Sequence, residues 1–197
     1  MLPLIYTNIT YTLIFLLTSG SWAAMEFFGP MRWRGSGEAR KRDQGSFTVM
    51  VISSLLGSGL CFLLPLLLPG ATIGWNQPLV FFIGFALTLS GLAWRLYAIK
   101  TLGRYFTGTV TIHPNQPVVQ HGPYKLIRHP SYTGILLSTL GVGVMIMNWV
   151  SILIIIVGSL PGFLYRISVE ERALREHIGQ PYVEYMQRTK RLIPFIY

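Results

Sequence analysis

Apolar positions in this chain run in long, unbroken stretches instead of alternating with polar ones as they do on surface helices or half-buried strands. Residues 1–25, 48–94 and 131–165 contain no Lys, Arg, Asp or Glu, and all sixteen basic and seven acidic residues fall in 26–43, 95–128 and 166–191. A helix needs roughly 20 apolar residues to cross a bilayer core. Tyr6–Met25, Phe47–Leu68 and Pro78–Ile99 each supply that length, and Arg95, near the end of the third, is expected to snorkel into the headgroups. Ser131–Tyr165 is apolar throughout except at Asn148-Trp149. It is too long for one ordinary span and slightly short for two. It predicts a tight helical hairpin whose arms either extend into the flanking segments or cross part of the membrane. The expected fold is all-α: an integral membrane bundle of five transmembrane helices, the last two a hairpin, with a cytoplasmic loop and C-terminal helices. It forms a single domain, 1–197, with three spans in 1–99 and the loop, hairpin and tail in 100–197.

Composition agrees with the pattern, at 51% hydrophobic and 12% charged residues. The segment Met1–Thr7 carries no basic residue, so the first apolar stretch is read as a retained span and not as a cleaved leader. Each charged block is rich in Arg and Lys, whereas Pro69–Gln77 and the turn at Asn148 carry no charge. The positive-inside bias then predicts an external amino terminus and a cytoplasmic carboxyl terminus. Attraction to anionic headgroups accounts for the net charge of +9 without invoking nucleic acid. Cys61 is the one cysteine, and His113, His121, His129 and His177 follow no zinc spacing, so no metal site is expected.

Candidate chemistry begins in the loop Lys100–Arg128. Thr107–Ile112 and Val118-Val119 are short β-prone pieces around His113-Pro114-Asn115-Gln116, which predicts a small surface hairpin. The sharpest local signal is the run from His121 to Gly134. Pro130 fits the first turn of a helix, which puts Arg128 and His129 beside unsatisfied amides and the positive dipole end. Gly122 permits close backbone approach, and Tyr124 and Tyr132 offer ring faces or hydroxyls to a planar group. Membrane anchoring by Arg128 and an interfacial aromatic belt explain the same residues without a ligand.

Beyond the hairpin, Arg166 and Glu170 are four residues apart and share a helix face, while Glu171 is turned by about 100°. The group could hold an anion or an ammonium, or it could consist of ordinary Arg166–Glu170 and Glu171–Arg175 pairs. The hairpin favours the first reading, because it returns His129 and Arg166 to the same membrane face. A helix continuing to about His177 stops at Gly179 and Pro181, and a shorter one follows from Tyr182 to about Lys190. The stripe Tyr182, Tyr185 and Met186 is expected to pack on the membrane core or close over the pocket.

Taken together, Leu102-Gly103-Arg104, Gly122-Pro123-Tyr124, Arg128-His129-Pro130-Ser131-Tyr132-Thr133-Gly134, Arg166, Glu170-Glu171, Leu174, Gly179, Tyr182, Tyr185 and Arg191-Leu192-Ile193-Pro194 resemble the isoprenylcysteine carboxyl methyltransferase family. The likeness covers the second half of the chain and is closest to the family's small prokaryotic and archaeal members, which implies an inner-membrane location. It implies S-adenosyl-L-methionine as cofactor, with S-adenosyl-L-homocysteine as product. His121, Gly122, Tyr124, Arg128, His129, Pro130, Tyr132 and Glu171 would form the cofactor site, with Arg166 and Glu170 as catalytic residues at the methyl acceptor. The acceptor would be lipophilic or prenylated and enter from the bilayer, Arg166 gripping its carboxylate with a planar fork. An amine or thiol acceptor would make Glu170 the proton acceptor. A phospholipid or amine N-methyltransferase is the neighbouring alternative. An NADPH-dependent sterol-type reductase shares the Arg-His-Pro-x-Tyr segment but differs in its tail, and a transporter would place polar groups nearer the midplane.

Overall fold

The computed structural model describes residues 1–32, 43–110 and 116–194. Seven α-helices occur among them: α1 (Leu4–Thr7), α2 (Ile9–Arg32), α3 (Ser46–Leu67), α4 (Gln77–Leu102), α5 (Pro130–Met145), α6 (Trp149–Ile178) and α7 (Gln180–Arg188). Helices occupy every apolar stretch, as a bilayer demands, because only internal hydrogen bonds can satisfy a backbone immersed in hydrocarbon. Three of them, α3, α4 and α6, are long and apolar enough to cross a membrane, while Ile9–Met25 is a shorter apolar helix. The 16-residue α5 reaches only roughly 24 Å, less than a hydrocarbon core. The protein is therefore an integral membrane helical bundle with three spans by length among the described residues, and the count of five expected from the sequence is not confirmed.

The hairpin turns at Ile146–Asn148. Met147 takes a left-handed backbone, φ 57°, and the Asn148 side chain caps α6 by accepting from the Ser151 amide at 3.1 Å. The Asn148 amide group donates to the Leu68 carbonyl at 3.1 Å, and the Ile73 amide donates to the Met147 carbonyl at 2.8 Å. The two uncharged connections thus meet at one end of the bundle. The helix ends that border the charged segments gather at the other, where α6 runs on past Tyr165 to Ile178 and stops at Gly179.

Small residues set the helix spacing, as they do where lipid offers no hydrophobic drive for association. Gly84 and Gly91 of α4 face Gly141 and Gly134 of α5 so closely that an added Cβ at Gly84 would lie 2.7 Å from the Gly141 carbonyl oxygen. One at Gly141 would lie 2.6 Å from the Gly84 carbonyl oxygen. Gly57 of α3 and Gly158 of α6 repeat the arrangement, with a Cβ at Gly158 reaching 2.8 Å from the Gly57 Cα.

Two expectations are corrected. Arg95 does not snorkel: it is 4% exposed and donates from Nη1 to the Ser131 hydroxyl at 3.0 Å. The cause is that α4 continues to Leu102 and α5 closes over it, with Gly134 seated on the Arg95 stem. The surface β-hairpin is also missing among the described residues, since 106–110 and 116–120 are irregular. His113, Pro114 and Asn115 lie outside the described residues.

Replacing Gly141 by Val should push α4 and α5 apart and cost about 1–3 kcal/mol, read as a lower unfolding midpoint in detergent. The same change at Gly20, which has nothing within 4 Å of a built Cβ, should leave the midpoint close to its original value.

Candidate active site

At the charged end, the tail is stitched onto the start of α5. The Arg128 amide donates to the Lys190 carbonyl at 2.8 Å, and the His129 amide to the Arg191 carbonyl at 3.0 Å. The Thr133 hydroxyl donates to the Leu192 carbonyl at 2.7 Å. Beneath these bonds lies Glu171, 3% exposed. It accepts from Arg128 Nε at 2.8 Å and from Arg191 Nε at 3.0 Å, and lies 3.3 Å from His129 Nε2. Arg128 also donates from Nη1 to the carbonyls of Met186, at 3.0 Å, and Thr189. A carboxylate this deeply buried persists only because cations surround it. Glu171 holds α5, α6 and the tail together.

Glu170 is turned away from that cluster by the helical rotation and faces a cavity. Tyr105, Phe106, Tyr124 and Tyr182 supply ring surfaces to its walls, and Leu102, Val110, Leu174 and Ile178 supply aliphatic ones. Arg128, His129, Ser131, Tyr132, Arg166 and Glu170 supply the polar groups. Tyr124 is buried, and burial first, then the nearby Glu170 charge, raises its phenol above the ordinary value. Tyr185 donates to the Tyr124 carbonyl at 2.7 Å, which fixes α7 over the cavity.

A hydrogen-bonded line crosses the cavity floor. The Tyr132 hydroxyl donates to Glu170 Oε2 at 2.8 Å and accepts from Arg166 Nε at 3.2 Å. Arg166, 3% exposed, donates from Nη1 to the Asp43 carboxylate and, at 2.9 Å, to the Ser46 hydroxyl. Its Nη2 donates to the Gly108 carbonyl at 3.0 Å. At least four of the five guanidinium N–H groups are therefore engaged within the protein. The sequence-based picture of Arg166 gripping an acceptor with its planar fork is corrected: one N–H at most remains to point at a ligand. Burial raises the Asp43 carboxyl, but the Arg166 charge and the amides of Phe47 and Val110 outweigh it and hold it below its ordinary value.

Of the ten residues singled out in the sequence, Tyr124, Arg128, His129, Tyr132, Arg166 and Glu170 line the cavity. His121 and Gly122 are exposed outside its lining, Pro130 is buried behind it, and Glu171 belongs to the cation cluster. Gly122 has φ 57° and turns beside Tyr97, whose hydroxyl would lie 3.1 Å from an added Cβ. Asp43 and Ser46 escaped the sequence reading, and 105–110, read there as part of a loop carrying a surface hairpin, contributes to the cavity wall. The signal for Asp43 was local: it stands three residues before Ser46, at the head of an apolar run, and its carboxylate accepts from the Phe47 amide at 3.0 Å.

A family model described as isoprenylcysteine carboxyl methyltransferase matches residues 83–176. A probable protein-S-isoprenylcysteine O-methyltransferase of Oryza sativa subsp. indica is 35% identical over 119 residues, covering 59% of this chain and 62% of that protein. Protein-S-isoprenylcysteine O-methyltransferase B of Arabidopsis thaliana is 36% identical over 115 residues, covering 57% and 58%. The chain thus spans about three-fifths of these curated relatives' length. A solved eukaryotic intramembrane Ras methyltransferase, isoprenylcysteine carboxyl methyltransferase, superposes with a TM-score of 0.59 at 29% identity, over 78% of this chain and 53% of that one.

Neutralising the two adjacent carboxylates should separate their roles. Glu171→Gln strands Arg128 without its countercharge and should destabilise the protein by about 3 kcal/mol, with earlier proteolysis of the tail. Glu170→Gln should leave both readouts near those of the unaltered protein. Acid should act through Asp43: because its folded pKa lies below the ordinary 3.8, its contribution to stability is complete above that pH and is lost as pH falls through the lower folded value. An acid titration of Asp43→Asn should lack this limb.

Proposed function

We propose that this chain is a member of the isoprenylcysteine carboxyl methyltransferase family, whose model matches residues 83–176, and that it transfers a methyl group from S-adenosylmethionine to a lipophilic acceptor, an isoprenylcysteine-like carboxylate. The observation that carries this reading is the cavity itself. Most of its lining falls within the matched residues, with Ile178, Tyr182 and Tyr185 just beyond them, and it combines aromatic walls with a buried Glu170–Tyr132–Arg166 line.

The lining suits the cofactor. Tyr124, Tyr182, Tyr105 and Phe106 offer ring faces for a purine, and His129 and Tyr132, with ring centroids 5.6 Å apart and planes inclined by 29°, add a further aromatic surface. Glu170 supplies negative charge toward the sulfonium group. When bound, S-adenosylmethionine supplies an electrophilic methyl group on a sulfonium sulfur. The protein's share is positioning, exclusion of water and electrostatics. A carboxylate acceptor is already ionised near neutral pH and needs no base. Arg166 draws its negative charge toward the floor and offers a single N–H. Tyr132 holds Glu170 and Arg166 at fixed separation, and Glu170 can receive an N–H beside the acceptor carboxylate. On the same reading the cavity faces the cytoplasm, the side favoured by the basic segments around it, and the acceptor's lipid portion stays in the bilayer.

An amine acceptor is the second reading, favoured by one feature: Arg166 has most of its donors engaged, while Glu170 presents a carboxylate to the cavity. Purified protein should bind S-adenosylhomocysteine saturably and NADPH not at all. It should methylate a prenylcysteine analogue in preference to phosphatidylethanolamine. Glu170→Gln should lower turnover by about a hundredfold while changing S-adenosylhomocysteine affinity only a few-fold. NADPH binding without S-adenosylhomocysteine binding defeats the proposal, and methylation of the amine alone moves the acceptor to the second reading.

A further inference from the structure

Asp43 lies forty residues before the segment that the family model matches, yet its carboxylate reaches the floor of the cavity. Oδ1 meets Arg166 Nη1, accepts from the Ser46 hydroxyl at 3.2 Å and takes the Val110 amide at 3.4 Å. Oδ2 takes the Phe47 amide at 3.0 Å. Val110 and Thr109 line the cavity, and the Gly108 carbonyl between them and Thr107 accepts from Arg166 Nη2 at 3.0 Å. One carboxylate therefore fixes two things the cavity needs: the orientation of the Arg166 guanidinium and the course of the strap 106–110 over it.

A helix cap alone accounts for the Phe47 bond, since Asp before a first turn commonly accepts from such an amide. It does not account for the guanidinium. Arg166 carries its charge at 3% exposure, where a single missing partner leaves an uncompensated ion. Tyr132 contributes only a neutral oxygen and Gly108 only a carbonyl. Asp43 is the carboxylate in direct contact with Arg166, and without it the guanidinium is drawn to the next carboxylate along the line, Glu170, through or past Tyr132.

We infer that Asp43 is a positioning residue for the acceptor site: by pairing with Arg166 it keeps the guanidinium off Glu170, so that Glu170 stays directed into the cavity, and it holds 106–110 in place as the wall. The inference rests on the methyl-transfer reading for its kinetic consequence, but the wall-holding part does not depend on any reaction.

The test uses the full chain in lipid nanodiscs. Asp43→Asn keeps a side chain that caps helices well and removes the charge. It is expected to slow methyl transfer to a prenylcysteine analogue by about tenfold to a hundredfold, with S-adenosylhomocysteine affinity held within about threefold. Combined with Arg166→Gln it should be no slower than Arg166→Gln alone, because both changes act on the same guanidinium. Turnover of Asp43→Asn near that of the unaltered protein overturns the inference, and so do independent, multiplying losses in the double variant. Asp43→Ala, which also removes the bond to Val110, should speed hydrogen exchange across 106–110, and unchanged exchange there overturns the wall-holding role. If the unaltered protein transfers no methyl group to any lipid acceptor offered, the methyl-transfer reading fails on its own, and exchange across 106–110 still decides whether Asp43 holds the wall. Should neither variant accumulate folded, Ser46→Ala, which retains the charge and removes one acceptor for Arg166, is expected to slow turnover by a few-fold, and no slowing overturns the inference.

Discussion

A guanidinium sealed from water must find its hydrogen bonds inside the protein, and Arg166 finds them on three separate pieces of chain. Asp43 and Ser46 at the head of α3, Gly108 in the loop after α4 and Tyr132 on α5 all converge on this one group of α6. In hydrocarbon the helices gain little by burying apolar surface against one another, so a satisfied buried charge has unusual authority over where their ends lie.

The glycine contacts make this convergence possible. Gly84 with Gly141 and Gly91 with Gly134 bring α4 and α5 to backbone contact, which leaves Arg95 enclosed beside Ser131 at the cavity's edge. Larger residues at those four positions would splay the pair and move the start of α5, and with it His129 and Tyr132, away from α6. Asn148 does the corresponding work at the far end, where it ties the hairpin turn to the loop after α3. The site is thus fixed by close packing along the helices and by hydrogen bonds at both ends.

Much of this was legible in the sequence because a membrane imposes a coarse rule: apolar stretches become helices, and charges collect at their ends. The hairpin turn at Asn148, the stop at Gly179 and the approach of His129 to Arg166 all followed from it. Arg95 was misread because hydropathy reports depth along a helix and not which side of it a neighbouring helix covers. The count of five spans is not confirmed, since α5 is apolar but short. The surface hairpin is not seen among the described residues, where Val118 and Val119 carry β propensity but follow the cavity wall. Asp43 offered a local capping signal, but its partner in the site was out of reach. It pairs with Arg166 across 123 residues, and no local pattern encodes a contact of that separation.

The most consequential outcome concerns two neighbours that the sequence treats alike. Glu170 and Glu171 stand side by side, with the same chemistry and the same distance from the membrane exit. A rotation of about 100° between consecutive helical residues sends Glu171 into a nest of cations that secures the tail, and leaves Glu170 facing the cavity with a tyrosine hydroxyl on one oxygen. Shifting the helix by one residue would exchange their fates, burying the carboxylate that faces the cavity and exposing the one that secures the tail. The register of α6 is therefore itself part of the site, and Asp43, Tyr132 and the tail act together to hold it.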